Sequence, residues 1–167
     1  MVKLKSLVVA LALAVSGVTA HAKTLDITSV DGGPAFTGQT SSVSSTGSLL
    51  LGKLLLQRPA GSQSGAPSAS VTVSGLVGAK AFSFTQVFDF ARATTCGSGN
   101  CSNFLSISAS PLAPIVLTQG RTIFTLVVDG FVEAVGHPVL SNVFLRPGKS
   151  RSLFLQASVL VETSPAP

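Results

Sequence analysis

The sequence predicts an all-β protein, an antiparallel β-sandwich of jelly-roll or immunoglobulin-like type with about eight or nine strands, which follows an N-terminal signal peptide. Short runs rich in Val, Ile, Leu, Phe and Thr alternate between apolar and polar positions. Gly, Pro, Ser and Asn separate these runs, as is typical of the turns between strands. No stretch after the signal peptide has a convincing helical period.

Residues 1–22 have the three parts of a secretory signal peptide. Lys3 and Lys5 supply a positive start, residues 7–15 form an apolar run, and Ala20-His21-Ala22 is a small-residue cleavage site. The apolar run is shorter than the roughly 20 residues that cross a bilayer. We therefore expect bacterial-type export, cleavage before Lys23 and a secreted protein, periplasmic or extracellular, with no membrane span in the mature chain.

An uncleaved membrane anchor is the alternative interpretation of this segment. Ser16 and Gly17 interrupt the apolar character where an anchor would continue, which disfavours it. Residues 23–167 then have the length of one ordinary domain, ending in a short Pro-containing tail.

Charge is sparse along the chain. Only 10% of residues are charged while 46% are hydrophobic, and the formal net charge is +5 at pH 7. Lys3 and Lys5 belong to the predicted signal peptide, so the mature chain is only mildly positive. A charge this small and dispersed does not predict nucleic-acid binding.

The first half of the mature chain begins with a predicted strand at residues 24–30, where Leu25 and Ile27 alternate with polar residues before a Gly-Gly-Pro turn. Residues 49–56 contain two apolar triplets around Gly52. They predict a buried strand with a bulge at Gly52, with a short helix as the alternative. Residues 60–68 are predicted to form an exposed loop.

A hairpin is predicted next. Residues 71–74 alternate, residues 75–78 supply a turn, and the following strand carries four Phe side chains in one phase. Four in-phase aromatic side chains are typical of a core, where each burial contributes roughly 1.5 to 3 kcal/mol. They are Phe82, Phe84, Phe88 and Phe90.

The remaining strands lie at residues 104–109, 121–128 and 152–162. The apolar run within residues 121–128 predicts a central strand buried on both faces that ends at an Asp129-Gly130 turn. The last strand alternates most regularly. Its predicted core face holds Leu153, Leu155, Ala157, Val159 and Val161.

Cys96 and Cys101 are the only cysteines. In an oxidising exterior they are expected to form a disulfide with each other, and a ring this short would fix a loop rather than hold the fold together. The alternative is a redox pair, which the C-x₄-C spacing disfavours. Two cysteines with the single mature histidine, His137, do not predict a metal site.

Catalytic groups are scarce. His137 lies in a turn-like Gly-His-Pro context, and the sequence contains no nucleophile elbow, zinc-protease helix or phosphate-binding loop. Asp129 and Glu133 lie close in sequence, but the oxygen-rich ligand set of a calcium loop is missing. We therefore expect no enzyme activity and no cofactor. The lack of Tyr and Trp also removes the usual sugar-stacking platforms.

One basic cluster precedes the last strand. Arg146, Lys149 and Arg151 surround a Pro-Gly turn. They are a candidate contact for a polyanion such as an anionic surface polysaccharide. The alternative is a solvated hairpin turn, because three cations without interleaved aromatic residues are a weak binding signal.

These observations predict a secreted, non-enzymatic protein of the cell surface or extracellular matrix with a structural or adhesive role. Low charge weakens the protection of strand edges, so self-association is expected, or attachment to a cell-surface polysaccharide. The alternative is a carbohydrate- or small-ligand-binding module, with loops at residues 61–68 and 96–101 forming the site. An enzyme is the least favoured class.

Overall fold

Strands are the only regular secondary structure in the part of the chain that the computed structural model describes. That part comprises residues 23–57, 68–97, 100–145 and 148–164, with the backbone alone described for residues 94–97 and 100–103. The predicted signal peptide and most of the predicted loop at residues 60–68 lie outside it. The all-β prediction is confirmed.

Eleven strands are present in these residues. They are β1 (Leu25–Asp31), β2 (Phe36–Gly38), β3 (Ser41–Val43), β4 (Gly47–Gln57), β5 (Ser68–Val77), β6 (Lys80–Gly97), β7 (Asn100–Ala109), β8 (Ile115–Gln119), β9 (Thr122–Val132), β10 (Asn142–Phe144) and β11 (Ser150–Thr163). The number exceeds the predicted eight or nine because β2, β3 and β10 have only three residues each.

Two curled antiparallel sheets, each shaped like half a barrel, share one core. The six-stranded sheet has the order β10-β7-β6-β5-β1-β3, and the five-stranded sheet has the order β2-β4-β11-β9-β8. Phe131 of β9 packs against Phe88 and Phe90 of β6 across the gap, with ring centroids 4.7 and 5.7 Å away. The apolar contact between the sheets therefore centres on aromatic rings.

The core face of β6 follows the predicted phase. Phe88 and Phe90 are buried, and Phe82 and Phe84 are half-buried against the core. Gln86 shares this face, and its Nε2 donates to the Ser110 carbonyl oxygen at 2.7 Å. That bond satisfies a polar group that would otherwise be costly to bury. The β5–β6 turn begins only at Gly78, later than the predicted residues 75–78, because β5 runs to Val77.

The bulge predicted at Gly52 is present beside it. Leu155 of β11 pairs with Gly52, whereas Gln156 pairs with Leu50, so Leu51 is the extra residue on β4. The core-facing positions of β4 change parity there, from Leu49 and Leu51 to the even-numbered leucines that follow. Gly52 is required because a Cβ there would overlap the ring of Phe36. β4 therefore buries leucine side chains in the same curved core before and after the bulge.

The turn predicted at Asp129-Gly130 is wrong. Gln156 pairs with Gly130 and Ala157 pairs with Val128, so Asp129 is the extra residue of a second bulge and β9 continues to Val132. Gly130 has a φ of 131°, which favours glycine. An Asp-Gly pair is compatible with a hairpin turn and with a bulge. Here the pairing with β11 continues past Asp129, so β9 does not end there.

The expectation that this strand is buried on both faces is also wrong. Phe124 and Leu126 are buried on the core side, but Val127 on the other side is 39% exposed. Ile123 and Thr125 are half-exposed there. No described element covers the outer face of the five-stranded sheet at these positions.

The order of the described strands makes the chain pass between the two sheets seven times, and two of these crossings show specific contacts. Residues 36–43 cross from the five-stranded to the six-stranded sheet, with Gly38 lying directly against the Val30 carbonyl group. Residues 133–141 make the second of these crossings. Leu140 N–H donates to the Phe131 carbonyl oxygen and Ile107 N–H donates to the Ser141 carbonyl oxygen, each at 2.8 Å.

Replacing Gly38 with alanine should destabilise the fold strongly. The new Cβ would overlap the Val30 carbonyl oxygen, and backbone atoms cannot move aside as a flexible side chain can. We expect a loss of at least about 2 kcal/mol in the free energy of unfolding, measured by urea denaturation. Gly47→Ala is the control, since no atom lies within 4 Å of its Cβ, and should change stability by less than about 0.5 kcal/mol. Equal effects in the two variants would contradict the tight corner.

Candidate functional site

One candidate surface of the described chain is an apolar face without a covering element. We define the outer apolar surface as Val116 of β8, Val127 of β9 and Leu160 of β11. Their exposed fractions are 61%, 39% and 46%. The register places Val116 and Leu160 on either side of Thr125, so the three strands contribute neighbouring side chains.

A shallow depression of 340 Å³ lies on this surface. Its walls are Val127, Ser158 and Leu160, and Thr125 and Ser48 line the rest with their neighbours. Thr125 lies between Val116 and Leu160, and Val127 is the diagonal neighbour of both, so the three side chains form a group rather than single exposed residues. The lining groups carry no charge, so contact here would depend on apolar burial and hydroxyl hydrogen bonds.

A second concave site lies between the sheets at one end. The cavity has a volume of 490 Å³, which is within the range of small-ligand sites. Leu54 and Leu56 contribute apolar side chains from β4, and Ala69 and Phe90 contribute them from the opposite sheet. Segment 58–67, which joins the lining residues Gln57 and Ser68, lies outside the described residues.

The described strand positions that border the two loops of the predicted ligand site are separated along the sheet. Ser68, where β5 begins, pairs with Asp89 of β6, whereas β6 ends at Gly97. Eight residues of extended strand span about 26 Å. Residues 61–67 and 98–99 lie outside the described residues, so the ligand site at these loops stays a prediction.

A buried polar network stabilises the bulge on β9. Gln156 is 8% exposed, and its Nε2 donates to Asp129 Oδ2 at 3.2 Å. Ser158 Oγ donates to the same oxygen at 2.7 Å, and Gly136 N–H donates to Gln156 Oε1 at 3.3 Å. Each group of the Gln156 amide therefore has a partner. The arrangement fixes a bulge and a crossing segment.

In the candidate polyanion contact, one of the three cations is engaged in an ion pair. Arg151 forms an ion pair with Glu133, and its Nη1 also donates to the Phe144 carbonyl oxygen at 3.4 Å. Lys149 is exposed, while Arg146 lies outside the described residues. The ion pair neutralises one of the three cations locally, which lowers the attraction that the cluster can exert on an anion.

The predicted disulfide concerns residues whose side chains are not described. The backbone register places Cys96 directly opposite Cys101 on β6 and β7. Opposite residues of an antiparallel pair have Cα separations of about 4.5 to 5.5 Å, which a disulfide can bridge. The bond remains a prediction.

His137 is exposed in a turn, where its own N–H donates to the Ala134 carbonyl oxygen at 3.1 Å. Among the described residues, no group of three or more His, Cys, Asp or Glu side chains is placed to hold a metal ion. The same residues include no helix that is both long and apolar enough to cross a bilayer.

The outer apolar surface was missed by sequence reasoning, although a signal for it was present. Apolar residues occupy both faces of residues 123–128, and Leu160 interrupts the polar face of the last strand. Such a run is ambiguous, because a strand buried on both faces and a strand with an exposed apolar face have the same composition.

Comparison with known proteins adds no family assignment. No protein-family model matches the chain, and no curated protein sequence shows significant similarity to it.

Replacing Asp129 with alanine should destabilise the protein. The change leaves the Gln156 amide and the Ser158 hydroxyl without their shared acceptor. An unpaired buried donor costs about 1 to 3 kcal/mol, and we expect a loss in that range by urea denaturation. The matched control Asp89→Ala removes an exposed carboxylate and should change stability by less than about 0.5 kcal/mol. If the two variants were equally stable, the network would have no structural role.

Peptide mass analysis tests the disulfide. Trypsin should leave both cysteines in one peptide, since no Lys or Arg lies between Arg92 and Arg121. For protein purified from an oxidising compartment, we expect this peptide to be lighter by two hydrogen atoms than the reduced peptide and resistant to alkylation. Alkylation of Cys96 and Cys101 without prior reduction would show that the bond is not formed.

Proposed function

We propose that this chain is a secreted, non-enzymatic β-sandwich protein with a structural or adhesive role at the cell surface or in the extracellular matrix. The observation that carries the proposal is the outer apolar surface, because Val116, Val127 and Leu160 remain exposed after the described chain has folded. A protein whose work is assembly or attachment needs such a contact surface.

Low charge supports the same function. The chain carries 11 basic and 6 acidic residues out of 167, and among the described side chains Arg151 and Glu133 neutralise each other. Repulsion between copies is therefore weak, and apolar contact can dominate at short range. We infer that the mature protein associates with itself, or with an uncharged or weakly charged surface polymer.

The chemistry of the described polar groups is consistent with a non-catalytic role. Asp129 is engaged by Gln156 and Ser158, and Glu133 is engaged by Arg151. These groups stabilise a bulge and a crossing segment. In the proposed function their task is to shape the two sheets, while surface side chains supply the contacts.

Sedimentation velocity of residues 23–167 over a wide concentration range tests the proposal. We expect the sedimentation coefficient to rise with concentration. Leu160→Lys should shift the distribution towards smaller species, because it places a charge in the outer apolar surface. Val135→Lys is the matched control, since Val135 is 59% exposed but lies in the crossing segment and not on the three strands that form this surface.

A wild-type protein that stays monomeric at all concentrations and does not sediment with envelope material would contradict the proposal. Equal effects of Leu160→Lys and Val135→Lys would show that general surface hydrophobicity, and not this surface, drives association.

The second candidate is a carbohydrate- or small-ligand-binding module, which the end cavity favours. Its walls are mainly apolar, with Gln57 and Ser68 at the polar rim. A ligand with an apolar body and a hydroxyl edge would match this lining.

A ligand screen with a filled cavity tests this candidate. Ala69→Phe should lower the affinity of any ligand held there by at least about tenfold, because the ring would occupy the cavity. Ser70→Phe, on the opposite face of the same strand, should bind normally. Identical binding by both variants would exclude the cavity as the site.

A further inference from the structure

The edge strand β8 differs from the other edges of the two sheets. Among the described strands, β2, β3 and β10 are edge strands of three residues, whereas β8 has five. Short edges offer little backbone for pairing, and proteins commonly add charges to longer ones. The sequence of β8 is Ile-Val-Leu-Thr-Gln, which has no charge, proline or glycine. This edge has neither of the two usual protections.

The backbone groups that face away from β9 can be identified from the register. Gln119 pairs with Thr122 across a two-residue turn, in which Gly120 has a φ of 60°. Residues at the ends of such a turn exchange hydrogen bonds, and bonded and non-bonded pairs then alternate along the ladder. The N–H and C=O groups of Val116 and Thr118 therefore point outward, where no described strand pairs with them.

These outward groups are arranged symmetrically about Leu117. An antiparallel strand of the same sequence, related by a two-fold axis at Leu117, places Thr118 of the second copy opposite Val116 of the first. Both outward N–H groups and both outward C=O groups of each copy are then paired. Pro114 and the turn at Gly120 bound the run on its two sides, which limits pairing to this register.

Electrostatics do not oppose the pairing. The nearest cation in sequence is Arg121, just beyond the turn, and the Lys23 ammonium group lies beside Gly120 of that turn. In this register the two Arg121 backbones lie about 27 Å apart along the strand direction and the two Gly120 backbones about 20 Å apart. Charges that far apart are screened at physiological ionic strength, where the Debye length is about 8 Å. The side chain of Val116, which is 61% exposed, then lies opposite Thr118 of the second copy.

We propose that β8 is the pairing edge for a second copy of this chain, joined antiparallel about Leu117 so that two five-stranded sheets form one continuous sheet. The inference rests on the proposed function and specifies its partner and contact. The two outer apolar surfaces then lie on the same side of the joined sheet, which doubles the apolar face available for further assembly or for a polymer.

Edge variants of residues 23–167 test this by sedimentation velocity. Thr118→Pro removes an outward N–H, and proline is tolerated at an edge position of this kind. We expect the dimer to weaken by about tenfold or more. Val116→Lys places a charge at the interface without changing the backbone and should weaken it similarly. Val135→Lys changes a side chain of similar exposure, 59%, that lies between β9 and β10 and not on β8, and it should dimerise like the wild type. Urea midpoints establish that each variant is folded.

The outcomes separate the two proposals. Loss of the dimer in Thr118→Pro with retention in Val135→Lys supports β8 pairing. Loss in Val116→Lys alone overturns β8 pairing, because Val116 also belongs to the outer apolar surface. Association that is unchanged in Thr118→Pro likewise overturns β8 pairing and leaves the structural role standing. A wild-type protein that is monomeric and ignores envelope material overturns both.

Discussion

The curvature of the five-stranded sheet depends on Gln156, which lies on the central strand β11 between two bulges. One bulge is on β4 at Leu51 and the other is on β9 at Asp129. Each bulge changes which residues of its strand face the core, so that β4 and β9 can follow β11 through a bend. The buried amide of Gln156 donates to the Asp129 carboxylate of the β9 bulge and accepts from the Gly136 N–H of the crossing segment. Without these bonds, the bend would leave buried polar groups unpaired.

The position of this bend determines where Phe131, the crossing segment and β8 lie. Beyond its bulge, β9 directs Phe131 towards the phenylalanines of β6, and the crossing segment leaves β9 for the six-stranded sheet. Before the bulge, β9 pairs with β8 and leaves Val127 on the outside. The aromatic core and the outer apolar surface therefore lie on opposite faces of one strand, on either side of one irregularity.

Much of the core could be predicted from the sequence, because alternation is a local property. The phase of Phe82 to Phe90 and the core face of β11 followed directly from a period of two, and Gly52 marked the first bulge. The Asp129-Gly130 pair was misinterpreted for a physical reason. Asp-Gly suits both a hairpin turn and a bulge, and only the pairing with β11, a segment distant in sequence, selects the bulge.

The candidate site was harder to predict. Strands of three residues such as β2, β3 and β10 are too short for a period to be recognised, so the edges of the sheets could not be located. The exposure of Val127 and Leu160 depends on what lies over the sheet, which is a property of topology. The low charge led to the expectation of self-association, but only the strand order identifies β8 as the edge at which we propose it.

Amide hydrogen exchange followed by NMR at low and high protein concentration tests the central claim most directly, because it reports on individual N–H groups. Pairing through β8 predicts that the amides of Val116 and Thr118 exchange rapidly in dilute protein and become protected as concentration rises. The amide of Leu117, which already bonds to β9, should change little. Concentration-independent exchange at Val116 and Thr118, in samples that sedimentation shows to be associated, would contradict pairing at this edge.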